Sequence, residues 1–161
     1  MTAMSFLRFV MFLSLVIWVG GIIFFSFVEA PTAFRLAPSR HIAGTIVGTS
    51  LSVLHWIGLF SGVIFLGSSM LYASLTTGSA RPLAVRHVLI FAMLLLTLIS
   101  QFGVSTKMAS LRSSFQDIDQ VAPTDSARLQ FESLHKWSVR LEVGVLIMGL
   151  AAVYVTARNL P

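Results

Sequence analysis

An all-α, integral membrane four-helix bundle is the fold class this sequence predicts, on three observations. Of its 161 residues 56% are hydrophobic and only 11% charged, far below the roughly 25% charged of a soluble domain. The mean hydropathy is +0.88. Apolar runs recur at four places, each matching the ~20 residues that a ~30 Å hydrocarbon core requires. A single membrane domain over residues 1–161 accommodates them, and a second does not fit in this length. The absence of cysteine excludes disulfides, thiolate metal sites, Cys nucleophiles and Cys-attached haem.

The first span is expected at about residues 6–28, closed by Glu29 and Pro31. Val28-Glu29-Ala30 loosely resembles a signal cleavage site, but the run exceeds an h-region of about 7–15 residues, so a retained span is the expectation. The second span, about 44–75, lies in a run long enough to tilt or project from the membrane. It carries two small-xxx-small pairs, Gly44/Gly48 and Gly58/Gly62. Such pairs let helices approach closely, and a homodimer through this glycine-rich helix is the partner they suggest. A turn over Thr77-Gly78-Ser79-Ala80-Arg81-Pro82 separates it from the third span. That span covers about 88–106, with Lys107 and Arg112 at its exit. A polar connection over about 108–131 follows, holding Asp117, Asp119, Asp125 and Arg128 around Pro123. Thr124 or Asp125 is the expected cap of a helix leading into the fourth span, about 136–157, which ends at Arg158.

The net charge of +5 is scattered over segment ends, so nucleic acid is not the expected partner and anionic lipid headgroups are. Four crossings place both termini on one side with Arg8, Arg81, Arg86 and Arg158; the other side holds Arg35, Arg40, Lys107, Arg112, Arg128, Lys136 and Arg140. The richer side is expected to be cytoplasmic and the termini outside.

Ionisable groups within spans mark candidate sites, because hydrocarbon penalises them. Glu29, Gln101, His135 and Glu142 all fall in the half nearer the basic side, and His55, about three turns into span two, can join them. Glu132, His135, Ser138 and Glu142 share an arc of about 120° on one helix, with Lys136 and Arg140 projecting elsewhere. Glu132-x-x-His135 has the i, i+3 spacing that supplies metal ligands in ferritin-like bundles, and Glu29, His55 and Glu142 complete a candidate Fe, Cu or Zn set. Haem b is the alternative cofactor, with His55 and His135 as the axial pair, since His41 reads as a loop residue and His87 lies at the opposite end of span three. A cofactor-free hydrogen-bonded network of Glu29, Gln101, His135 and Ser138 stands beside both. The far halves of the spans read as nearly all apolar, which argues against a channel or efflux component. No G-x-S-x-G elbow, P-loop, H-E-x-x-H or dinucleotide fingerprint occurs.

Trp18-Val19-Gly20-Gly21, Phe24-Phe25-Ser26-Phe27-Val28-Glu29-Ala30-Pro31-Thr32-Ala33-Phe34, Arg40, Gly44 and Phe131-x-x-Leu134-His135-x-x-Ser138 resemble the small four-span family typified by human transmembrane protein 205. More remotely, the pattern is similar to copper-resistance D proteins and four-span haem-binding protoporphyrinogen oxidases. The resemblance implies a four-helix bundle in a bacterial inner membrane. It also lends weight to a metal or haem without assigning a reaction. The sequence thus predicts a polar site of Glu29, His55, His135 and Glu142 with Arg40, Gln101, Glu132 and Ser138 in support. A membrane oxidoreductase with an unidentified redox partner follows if a redox cofactor is bound, and a cofactor-free interaction protein if not.

Overall fold

The computed structural model describes residues 3–79, 83–114, 120–122 and 124–159, and among these every long element is a helix. The expectations for Arg81, Pro82, Asp117, Asp119 and Pro123 lie outside the described residues. Four candidate spans, Ala3–Leu36, Arg40–Thr77, Val85–Ser114 and Ser126–Arg158, are long and apolar enough to cross a bilayer. The protein is therefore an all-α integral membrane bundle. The spans contain α1 (Ala3–Phe24), α2 (Ala30–Leu36), α3 (Arg40–Thr77), α4 (Val85–Leu98), α5 (Thr106–Ser114) and α6 (Ser126–Asn159).

The first helix does not stop at Glu29 and Pro31 as expected. It passes through a π-helical segment, Phe25–Glu29, and continues as α2. Pro31 sits in the first turn of α2, where its missing N–H removes no hydrogen bond. The preceding widened turn, in which the Ala30 amide reaches back to the Phe25 carbonyl, lets the chain absorb the ring. The third span is interrupted in the same way at Ile99–Ser105 between α4 and α5.

Helix α3 starts earlier than its hydropathy suggests because Ser39 caps it, accepting from the Ile42 amide at 3.2 Å. His41 is consequently helical and not a loop residue. At the other end Gly78 terminates α3 in the left-handed conformation at φ 70°, one that favours glycine. Asp125 caps α6, its Oδ1 accepting from the Ala127 amide at 2.8 Å and the Arg128 amide at 3.3 Å. The polar connection is shorter than expected, since α5 runs to Ser114 and α6 begins at Ser126.

Helix α1 packs against α3 and α6, and α4 packs against the same two, so the spans form a four-cornered bundle in the order α1, α3, α4, α6. Met11, Leu15, Trp18 and Ile22 of α1 meet Leu54 and Phe65 of α3, Ile90 and Met93 of α4, and Val145 and Ala152 of α6 in one core. Both glycine pairs of α3 are filled from within the chain. The Trp18 indole lies against Gly58 and Gly62, and the Arg112 guanidinium against Gly44 and Gly48. The outward faces carry Phe60, Phe91, Ile147 and Tyr154, as a lipid bilayer requires of its solute.

The half of the bundle nearer the termini is less apolar than its sequence suggests. There the buried Ser69 hydroxyl and His87 Nε2 share a hydrogen bond of 2.7 Å, and Arg8 donates to the Tyr72 hydroxyl from Nε at 3.0 Å and from Nη2 at 2.7 Å. Single-helix hydropathy averages these residues into their apolar neighbours and conceals that they pair across helices.

Candidate functional site

The opposite end of the bundle contains both π-helical segments. Such segments rotate side chains out of the regular helical register and occur frequently at functional sites. The one in the third span carries Gln101 into the bundle, where its Nε2 donates to Ser52 Oγ at 2.9 Å and its Oε1 accepts from His55 Nδ1 at 2.8 Å. On the far side of the imidazole, His55 Nε2 lies 3.4 Å from Glu142 Oε2. His55 is buried, with 2% of its side chain exposed against 12% for Glu142.

This chain of contacts constrains the protons. An amide oxygen only accepts, so Nδ1 of His55 carries a hydrogen. A hydrogen bond between Nε2 and Oε2 requires one further proton, carried either by the ring, as an imidazolium facing a carboxylate, or by the carboxylic acid donating to a neutral ring. Either arrangement leaves both ring nitrogens engaged.

Gln101, Ser52 and Glu142 form the floor of a cleft of about 1190 Å³. One wall is the end of the first span, with Phe25, Phe27 and Phe34; the other is α6, with Phe131, Val139, Val143 and Leu146. Helices α1 and α6 meet deeper in the bundle, where a Cβ on Gly149 would stand 2.8 Å from Val19. Toward this end they part. The cleft thus opens between spans one and four, the two that close the bundle.

The structure places most of the expected site residues around this cleft. Glu132, His135, Ser138 and Glu142 all line it from α6, and Arg40 and Gln101 line it from the other side. Lys136 is exposed on another face, and Arg140 stacks over Trp137 at 5.4 Å. Glu29 is not among them. It lines a separate hollow with Phe24, Val28, Thr32 and Ile46, and its Oε2 is buried without a hydrogen-bond partner. Of the two histidines, His135 lines the cleft and His55 does not. His135 precedes Glu142 by seven residues, about 10 Å along the helix axis, while His55 sits behind Glu142 with its nitrogens occupied. No group of three or more His, Asp or Glu residues able to hold a metal ion occurs among the described residues. The observed network is Ser52, Gln101, His55 and Glu142, in place of the expected one through Glu29 and His135.

A family model described as a domain of unknown function, DUF4149, matches residues 13–115, well over half of the chain. The chain belongs to this family. No curated protein and no solved structure matches it. The DUF4149 match takes in the first span from residue 13 onward, the second and third spans, both π-helical segments, His55, Gln101 and Arg112, and ends before α6. Three residues of this site were not expected in it: Ser52, His41, which reads as a loop residue, and Arg112, which reads as a span exit. Ser52 is an unremarked hydroxyl in an apolar run. Arg112 resembles the ordinary basic residue at a span exit. The one available signal was Ser39-x-x-Ile42, a helix start that draws His41 into the bundle.

Proposed function

We propose that the protein is a membrane-embedded binding protein that admits an apolar or amphiphilic ligand from the bilayer into the cleft between its first and fourth spans. The observation that carries this reading is the cleft itself, about 1190 Å³ with aromatic and aliphatic walls and a small polar floor. Ligand sites in helical bundles have this composition, with apolar lining for affinity and a few convergent polar groups for orientation. Glu142, backed by His55, and Gln101 are polar groups of this lining that can exchange a hydrogen bond with whatever part of the ligand reaches them.

Haem b is a second reading, favoured by the His135 imidazole that faces the cleft. His135 would be its protein ligand, with His55 excluded by its own hydrogen bonds. Haem supplies redox chemistry when bound, and a redox role rests on that alone. A free Fe, Cu or Zn ion is less well served, since Glu132 is turned to Arg128 at 3.4 Å.

The test is to purify the protein in mild detergent and identify co-purifying molecules by mass spectrometry, alongside a visible spectrum before and after dithionite. A stoichiometric lipid-soluble molecule lost in a Val143→Trp variant, which fills the cleft, is the expected result. A Soret band lost in His135→Ala would make that molecule haem. A preparation in which Val143→Trp changes no bound species would overturn the reading.

A further inference from the structure

We propose that the cleft's ligand is an acidic lipid, and that Arg112 holds its phosphate or carboxylate oxyanion above the Gly44/Gly48 notch of α3. This rests on the cleft being a ligand site and adds the chemistry of the headgroup.

The placement of Arg112 is specific. A Cβ on Gly48 would stand 2.6 Å from its Nη1, and one on Gly44 3.3 Å from its Nη2, so the two glycines let the planar group lie directly against the helix, and a side chain at Gly48 would displace it. Its Cζ stands 5.4 Å from the centre of the Phe131 ring. The guanidinium is thus half-buried between a glycine face and an aromatic ring, and it makes no hydrogen bond or ion pair with any described residue. A guanidinium offers five N–H donors in a fixed fork that matches an oxyanion bidentately. Withdrawing it from water without a counter-ion is unfavourable.

The carboxylates that line the cleft do not supply that counter-ion. Glu132 pairs with Arg128 at 3.4 Å and Glu142 with His55 at 3.4 Å. Arg40 and His41 line the same end of the cleft, and Nδ1 of His41 is buried without a partner. The donors left over are therefore cationic or N–H groups at the mouth, while apolar walls run from them into the bundle. Basic pockets between spans bind acidic headgroups in this way. An oxyanion at Arg112 with its acyl chain between Phe25, Phe27 and Val143 fits both halves.

The proposal is tested by native mass spectrometry of the detergent-purified protein titrated with phosphatidylglycerol, phosphatidylcholine and inorganic phosphate. The wild type should retain phosphatidylglycerol over phosphatidylcholine by about fivefold, the preference expected from one cation near a headgroup. Arg112→Gln should abolish the preference, Arg112→Lys should keep part of it, and Arg158→Gln at the other end of the bundle should leave it intact. Elution position in size exclusion shows that each variant is folded. Equal retention of both lipids by the wild type, or an undiminished preference in both folded Arg112 variants, would overturn the assignment while the cleft reading stands. Complete displacement of phosphatidylglycerol by inorganic phosphate would overturn the lipid, since the chain would then add nothing. If Val143→Trp leaves an Arg112-dependent, charge-selective site unaltered, the cleft reading fails together with the acyl-chain placement, and only oxyanion binding at Arg112 stands.

Discussion

His55 has no spare valence. Its Nδ1 is given to Gln101 at 2.8 Å and its Nε2 faces Glu142 at 3.4 Å, in a site where only 2% of the side chain is exposed. Removing the ring strands two polar groups and leaves a cavity. Each stranded group costs about 1–3 kcal/mol, so His55→Ala is expected to lower stability by about 3–5 kcal/mol in total. Glu142→Gln keeps a hydrogen-bonding group against Nε2 and is expected to cost under about 1 kcal/mol. A denaturant-unfolding cycle with both single variants and the double variant measures the coupling. A coupling near zero would show that the 3.4 Å contact contributes nothing. The face of α6 that carries these residues was legible, because Glu132, His135, Ser138 and Glu142 repeat with the helical period. Their partners were not, because periodicity reports the rotation of one helix and says nothing of its register against another. Glu29 shows the same limit. Its depth in the membrane was readable, but the turn that points it into a different hollow from the cleft was not.

At the scale of the element, the small residues of α3 are sockets for side chains of its neighbours. Gly58 and Gly62 receive Trp18, which is 2% exposed, and any Cβ at Gly58 would collide with the indole. A Leu there forces the core apart, and overpacking of this kind costs about 1–3 kcal/mol or more. Gly58→Leu is therefore expected to lower the melting temperature sharply, with partial recovery when Trp18→Leu is added. Gly67 is the internal control, because nothing lies within 4 Å of the position its Cβ would take. Gly67→Leu should be neutral or mildly stabilising, since glycine is the poorer helix former. Similar losses in both variants would show that helix propensity, and not the Trp18 contact, sets the cost. The sequence made close packing legible through the four-residue spacing. It did not reveal that the insertions would be an indole at one pair and a guanidinium at the other. The two π-helical segments were equally hidden, because they change hydrogen-bond register without changing hydropathy.

At the scale of the whole molecule, the described ends of the chain and the cleft lie at opposite ends of the bundle. With four spans, Ala3 and Ala157 share one side, and Ser114 and Ser126 share the other. The described acidic residues, Glu29, Asp125, Glu132 and Glu142, belong to the end that bears the cleft, together with seven of the eleven basic residues of the sequence. Insertion is governed by Lys and Arg and hardly by Asp and Glu, so the excess of seven over four carries the expected direction in spite of the balancing carboxylates. The prediction is that the cleft faces the cytoplasm. It is checked by single-cysteine substitution, which the absence of native cysteine makes clean. In intact cells Ala3→Cys and Ala157→Cys should react with an impermeant maleimide, while Ser114→Cys and Ser126→Cys should react only after permeabilisation. The reverse pattern would place Arg112 and the cleft in the outer leaflet, and the lipids offered to it would then be those of that leaflet. Labelling of Ala3→Cys and Ala157→Cys from different sides would remove a span and the four-cornered bundle with it. The orientation therefore bears on the ligand as well as the fold, because the leaflet in which the cleft opens fixes which acidic lipids can reach its arginine.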